Sequence, residues 1–358
     1  MEIKIGDKII SEKSKPYFIA DIAANHDGDI NRAFHLIELA KECGADAAKF
    51  QNFKAETIVS KGGFESLDSQ LSHQSSWKKS VFETYKDASL PDVWFGKLKE
   101  KCDEVGIEYM TSPYDFKAVD LADKYVNAYK IGSGDITWIE IIKHIAQKKK
   151  PVLIATGASD MEDVKRAVEE IKKYNSQIIL MQCNTNYTAL DTNFSYINLN
   201  VLHRYHQLYP DCILGLSDHT FGHTTVLGAL AIGARVFEKH FTDDNDREGP
   251  DHKFSMNPAT WKEMVKACNE LYQALGDGIK RVEENEQDTV NIQRRAFYLQ
   301  KNLRKGEIIR EEDIFPLRPV KKGAVLPFEK QSILGKKLSR DKYIDECLKW
   351  EDIQDDKR

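Results

Sequence analysis

The sequence is short of the features that mark a specialised chain. Its six cysteines (Cys43, Cys102, Cys183, Cys212, Cys268 and Cys347) are scattered along 358 residues with no CxxC pair. In a chain this long that argues against a disulfide framework and reads as free thiols in a reducing cytoplasm. There is no basic tract, and the net charge is −5, which argues against nucleic acid as the main partner. No apolar run approaches the ~20 residues of a membrane span. The opening "MEIKIGDKII" lacks the apolar core of a secretory leader. A Gly-rich phosphate loop is also missing: the first strand-like run, "YFIADIA", is followed by "ANHDGDI". That disfavours a doubly wound nucleotide-binding sheet. The same segment holds "NHD" rather than a His-x-His pair, which disfavours a metal-dependent barrel hydrolase.

What is present is a rhythm. After a hairpin turning at Gly6-Asp7, eight apolar runs alternate with helix-like segments, at 17–23, 47–51, 107–112, 128–133, 151–157, 178–183, 213–218 and 235–241. The helical stretch "DINRAFHLIELAKECG" has Asp29 to cap its start and Gly44 to end it, and "NPATWKEMVKACNELYQALGDG" closes at Gly276. Eight strand–helix repeats in ~250 residues predict an α/β protein with a (β/α)8 barrel. Residues 52–91 form one long connection, the length of a lid or of extra structure. The rhythm stops after Gly278. The expected domains are a barrel over 1–278, a polar linker over 279–292 and a small α+β module over 293–358.

In such a barrel the C-terminal ends of the strands face one pocket. Here those ends carry Asp21, Lys49, Gln51, Ser112, Lys130, Ser133, Asp135, Thr185, Tyr187, Ser217, Asp218, His219, Glu238 and His240. Lys49 and Lys130 lie inside apolar runs, where an ammonium is costly unless an anion accompanies it. With three serines they make a cationic, hydroxyl-lined site suited to phosphate or carboxylate. The alternative is that each lysine pairs with a structural carboxylate. His219 and His240 end adjacent strands, so both imidazoles can reach one divalent cation, leaving positions for water and substrate. The alternative there is two independent hydrogen-bonded histidines. His26 either orders the loop after the first strand or touches substrate. His73, His223 and His252 read as surface residues, and Asp251 sits in a turn-rich loop where it can bind hydroxyls or cap a turn.

These residues resemble the sialic acid synthase family across nearly the whole chain. The resemblance rests on "ADIAANHDGD", "GADAAKFQNFKAE", "YKIGSGD", "ATG", "GLSDHT", "EKHFT" and "GPDHKFSMNP" in order. "KGEIIREEDIFPLRP" and "ILGKKLSRD" are similar to the antifreeze-like (SAF) domain of those enzymes. It implies condensation of phosphoenolpyruvate with an N-acetylated amino sugar to a nine-carbon 2-keto-3-deoxy sugar acid. By the same resemblance Lys49, Ser112, Lys130, Ser133 and Ser217 hold phosphoenolpyruvate, and His219 and His240 hold Mn2+ or Mg2+. Gln51, Asp135, Tyr187 and Asp251 then lie near the sugar. Asp21 and Asp135 are the acid–base candidates, and Arg318 reaches the partner subunit's site in a domain-swapped homodimer.

The chain departs from the family pattern in several places. Asp21 and Asp135 stand where glutamate is common, Ser112 replaces a frequent threonine and Ala155 a frequent serine. "CNTNYT", which bears Thr185, departs from Cys-Thr-x-x-Tyr-Pro, and "RPVKKGAV" replaces an Arg-Pro-Gly-x-Gly stretch. Most of these changes fall on the sugar side and point away from the commonest substrate: N-acetylmannosamine is the default acceptor, and a 2,4-diacetamido-6-deoxy sugar is the alternative that the altered pocket suggests. Two other readings remain: a related synthase using a phosphorylated sugar, and a non-catalytic carbohydrate-binding protein.

Overall fold

A computed structural model describes residues 1–67, 74, 77–188 and 190–354; His73 lies outside them. The chain divides into two compact units, Met1–Gly276 and Asp277–Arg358.

The first unit opens with the hairpin, β1 (Glu2–Ile5) and β2 (Lys8–Ser11), turning at Gly6 with φ 55°. Eight parallel strands then close into a barrel: β3 (Tyr17–Asp21), β4 (Ala47–Asn52), β5 (Glu108–Pro113), β6 (Tyr129–Ile131), β7 (Val152–Ala155), β8 (Ile178–Cys183), β9 (Ile213–Asp218) and β10 (Val236–His240). Neighbours in the chain are neighbours in the barrel, and β10 pairs with β3 to close it. The (β/α)8 architecture expected from the repeat pattern is the one observed.

Because successive side chains on a strand point to opposite faces, each strand feeds two cores. Phe18, Ala20, Phe50, Tyr109, Ile154, Leu180 and Phe237 face the surrounding helices and build the larger core. Ile19, Ala47, Met110, Leu153, Ile179, Ile213 and Val236 face inward and form a second cluster with Ile3, Ile5 and Ile10 of the hairpin. The hairpin therefore plugs the N-terminal end of the barrel, and the lumen is apolar from that end upward. Gly215 helps to close it: a Cβ there would lie 2.8 Å from the Val236 carbonyl oxygen and 2.9 Å from Met181 Cγ.

Helix ends follow the sequence signals. Asp29 accepts a hydrogen bond from the Asn31 backbone N–H and starts the helix Ile30–Glu42, which buries Ala33, Leu36, Ile37 and Ala40. Asn257 caps Pro258–Leu275, and Gly276 with φ 61° ends it. The long connection after β4 contains the short helices Ala55–Ile58, Lys61–Glu65 and Val81–Ala88. All six cysteines are buried free thiols. Among the described residues, no helix is long and apolar enough to cross a membrane.

The second unit is built on a two-stranded antiparallel pair, β11 (Ala296–Leu299) and β12 (Ile314–Leu317). Phe297, Leu299, Leu303, Ile309, Val325, Ile333, Leu338 and Leu348 form its core. Asp352, fully buried, accepts from Arg340 Nε at 2.5 Å and ion-pairs with Lys342 at 3.1 Å, tying the C-terminal segment down. The helix Gln287–Gln293 precedes β11.

Candidate active site

The inward-facing positions that are apolar low in the barrel become polar at the C-terminal ends of the strands. A cavity of about 370 Å³ opens there. Its lining includes Asp21, Lys49, Gln51, Ser112, Lys130, Ser133, Asp135, Tyr187, Ser217, His219 and His240, together with Cys183 and Glu238. Both strand lysines and both strand-end histidines thus share one opening. An outer cleft of about 1110 Å³, lined by Trp77, Phe221, Arg247 and Phe254 among others, also has Tyr187 in its wall.

Each lysine is partnered. Lys49 Nζ donates to Asp21 Oδ2 at 2.7 Å, and Gln51 Nε2 donates to the same oxygen at 3.1 Å. Lys130 Nζ donates to Glu238 Oε1 at 3.0 Å, and the same oxygen lies 3.9 Å from Lys49 Nζ. Ser217 Oγ donates to it as well, at 3.2 Å. Burial alone would discharge Lys49, but Asp21 and Glu238 outweigh it and hold its pKa above the ordinary lysine value. Burial likewise opposes ionisation of Asp21, yet Lys49 holds its carboxyl below the usual range. The lysines therefore pair with carboxylates, which is the second of the two sequence alternatives, and they also line the cavity.

Three buried polar atoms of this lining have no hydrogen-bond partner among the described residues: Ser112 Oγ, Glu238 Oε2 and His240 Nδ1. Unsatisfied buried polar groups are rare in native proteins, and three in one cavity point to a polar ligand. Ser133 Oγ accepts from the Gly157 N–H at 2.9 Å. A Cβ at Gly157 would lie 2.5 Å from Thr185 Cγ2, so the two loops touch here.

The histidine rings lie 5.4 Å apart between centroids. His219 Nδ1 is 2.8 Å from the Asn184 carbonyl oxygen, which can only accept, so Nδ1 carries the proton and Nε2 keeps its lone pair. His240 is pushed down to about 3 by burial, against the pull of Asp21, and is neutral at physiological pH. His219 differs: against burial, the Cys183 side chain beside it holds its pKa above the ordinary histidine value. In their neutral forms the two imidazoles, with His240 Nδ1 buried and unpartnered among the described residues, make a donor set that fits a divalent cation. Among the described residues, no group of three or more His, Cys, Asp or Glu is arranged to hold a metal. A cation at the pair would take its other ligands from water and substrate. Phe254 and Tyr187 wall the rings, at 4.8 Å from His240 and 4.3 Å from His219.

Several expected residues fall elsewhere. Thr185 is half-buried against Gly157 and is absent from the cavity lining, because "CNTNYT" leaves β8 as an irregular loop. Asp251 is likewise outside the lining; its Oδ2 accepts from the Ala24 N–H at 3.1 Å and lies 4.0 Å from His240 Nδ1. Arg318 belongs to the second unit, exposed at the end of β12. His252 is not a surface residue. It is fully buried, with Nδ1 2.8 Å from Thr242 Oγ1 and Nε2 2.9 Å from Asp27 Oδ1. Asp27 also pairs with Arg32 and Arg247, so this cluster fastens the loop bearing Asp251 to the loop after β3. His26 is buried, accepts from the Gly28 N–H at 3.0 Å and orders that same loop.

Glu238 is the residue that sequence reasoning left without a role. The signal was available: it stands two positions before His240, hence on the same strand face.

Asp135 behaves unlike Asp21, the other acid–base candidate. Burial pushes it up to about 6. A carboxyl with a raised folded-state pKa favours the fold fully below its ordinary value near 3.8, and that benefit disappears as pH rises through 6. Asp135→Asn is therefore expected to stabilise the ligand-free protein above pH 6, by on the order of 1–2 kcal/mol. The difference should vanish near pH 4. Urea unfolding of both proteins at pH 4 and pH 8 checks this; equal stabilities at pH 8 would contradict it.

Residues 36–280 match the NeuB family and residues 294–354 the SAF domain. The chain is 34% identical over 344 residues to the N,N'-diacetyllegionaminic acid synthase of Legionella pneumophila, covering 94% of each. It is 32% identical over 345 residues to a Campylobacter jejuni pseudaminic acid synthase, covering 95% of this chain and 97% of that one. The solved N-acetylneuraminic acid synthetase of Leptospira borgpetersenii superposes with a TM-score of 0.72 at 26% identity, over 81% of this chain and 95% of that one. On this fold, this lumen and these relatives, the chain belongs to the NeuB family and is a sialic-acid-type synthase with a C-terminal SAF domain.

Proposed function

We propose that the protein condenses phosphoenolpyruvate with an open-chain N-acetylated amino sugar and water, giving a nine-carbon 2-keto-3-deoxy sugar acid and phosphate. The observation that carries this is the ion-paired quartet of Lys49, Lys130, Asp21 and Glu238 in one cavity with Ser112 Oγ and His240 Nδ1, which have no partner among the described residues. The two ammonium groups bind the phosphate and carboxylate of phosphoenolpyruvate, exchanging carboxylate partners for substrate anions. Ser112, Ser133 and Ser217 supply hydroxyls to the same oxygens.

The methylene carbon of phosphoenolpyruvate bonds to the aldehyde carbon of the acceptor, whose oxygen takes a proton. Water adds to the central carbon as positive charge develops there, and loses a proton. The resulting tetrahedral intermediate breaks its C–O bond to phosphate as its new hydroxyl gives its proton to the departing phosphate, leaving a ketone. Environment separates the two acid–base candidates: Asp21 stays ionised against Lys49, whereas Asp135, raised to about 6, is the one poised to hold and pass a proton. A Mn2+ or Mg2+ ion on His219 and His240 would supply Lewis-acid polarisation of the acceptor's carbonyl.

The acceptor enters through the outer cleft. There Lys78 pairs with Glu248, Arg247 with Asp27 and Lys79 with Asp87, so most of its positive charge is already neutralised. Aromatic Trp77, Phe221 and Phe254 line it and suit the apolar face of a sugar. This favours an uncharged acceptor, either N-acetylmannosamine or a 2,4-diacetamido-6-deoxy sugar, over a phosphorylated one. Phosphate release with phosphoenolpyruvate and a sugar panel tests the reading. Turnover is expected with free N-acetylated sugars, lost in His240→Ala and with chelator. Turnover only with phosphorylated sugars, or full turnover with chelator, would contradict the acceptor and cation assignments respectively.

We also propose that the protein acts as a homodimer in which Arg318 serves the partner's cavity. Its exposure leaves the guanidinium available to a second copy. Arg318→Ala is expected to lose activity without unfolding. Mixing it with His240→Ala should restore part of the turnover, and mixing without recovery would contradict subunit sharing.

A further inference from the structure

Outside the cavity the barrel wall contains another buried ion pair, between Asp218 and Lys239, with side chains 1% and 2% exposed. The two are register partners at the top of β9 and β10. Each directly precedes one of the two histidines, so strand alternation turns it away from the lumen toward the helix Thr224–Ile232. Neither lines the inner cavity or the outer cleft.

The carboxylate of Asp218 is fully employed. Lys239 Nζ donates to Oδ2, as do Thr225 Oγ1 at 2.7 Å and Thr220 Oγ1 at 2.9 Å. The Thr220 backbone N–H donates to Oδ1 at 3.2 Å. Lys239 Nζ also donates to the Thr220 carbonyl oxygen at 2.6 Å. One network thus holds the residue before His219, the residue after it and the residue before His240.

Stability is a weak reason for this arrangement, since a buried ion pair is commonly replaceable by apolar residues at no loss. Position is a better one. The β9–β10 register ends at the Asp218–Lys239 pair, and β9 itself ends at Asp218. His219 lies beyond the strand, and His240, though paired with Asp21 of β3, has no register partner on β9. At the level of the imidazoles, side chains rather than strand pairing relate the two chain segments.

We propose that Asp218 and Lys239 are positioning residues: the buried pair sets the spacing of His219 and His240 and thereby the affinity of the two imidazoles for a divalent cation. The effect on affinity rests on the cation reading above; the effect on spacing does not. Groups that orient metal ligands typically change affinity by ~10–100-fold.

The test is Lys239→Met in the full chain, with Mn2+ as the probe. Binding is followed by electron paramagnetic resonance of free Mn2+, with circular dichroism and phosphoenolpyruvate affinity as measures of an intact lumen. Mn2+ binding is expected to weaken ~10-fold or more, with Lys239→Arg recovering part of it. Phosphoenolpyruvate affinity should stay within about twofold of the unmodified protein, as for uncoupled sites. A folded Lys239→Met that binds phosphoenolpyruvate and holds Mn2+ as tightly as the unmodified protein overturns the proposal.

If Lys239→Met does not fold, Thr225→Val removes one donor to Asp218 and keeps both charges; unchanged Mn2+ affinity there is equally contrary. If the unmodified protein itself binds no Mn2+, the cation reading falls. The spacing claim is then decided by crystal structures of the unmodified protein and the variant. A shift of the imidazole pair beyond ~0.5 Å, the tolerance of a built site, supports it. An unchanged separation overturns it.

Discussion

The proposed chemistry depends on two lysines held against carboxylates inside a barrel. An isolated lysine in a low-dielectric lumen would give up its proton. Asp21 and Glu238 prevent that for Lys49, and Glu238 bridges to Lys130. The four side chains come from β3, β4, β6 and β10, and only a closed barrel brings those strand ends to one point. The hairpin plug and the inward aliphatic layer seal the other end, so substrate reaches the charges from one side only.

The arrangement is balanced for exchange rather than for rest. Two positive and two negative groups neutralise one another, yet Ser112 Oγ, Glu238 Oε2 and His240 Nδ1 are left without partners among the described residues. An incoming dianionic phosphate can take over the lysines, and the displaced carboxylates and hydroxyl can then meet substrate or water. That economy would explain why a buried ion network persists where an apolar lumen would be the more stable solution.

The fold was legible because its signals are local. Eight short apolar runs, Asp29 before one helix and Gly276 after another are read from a few neighbouring residues, and each took the structure its chemistry demands. The lumen's polar rim was legible too, since strand ends in a barrel converge. What failed depended on distant contacts. His252 reads as a loop histidine until Thr242 and Asp27 close around it. Thr185 reads as a strand-end residue until the loop after β8 turns it against Gly157. Lys239 is the instructive case. It is as deeply buried in its strand as Lys49, but alternation places it on the outer face, paired with Asp218.

The central claim is that Lys49 and Lys130 are an anion site whose carboxylate partners are placeholders for substrate. A crystal structure of the protein with phosphoenolpyruvate tests it most directly. The account predicts the phosphate and carboxylate of the ligand against the two Nζ atoms, with Ser112 Oγ now hydrogen-bonded and at least one of the Asp21 and Glu238 ion pairs opened. Phosphoenolpyruvate bound elsewhere, with both ion pairs intact, would contradict it.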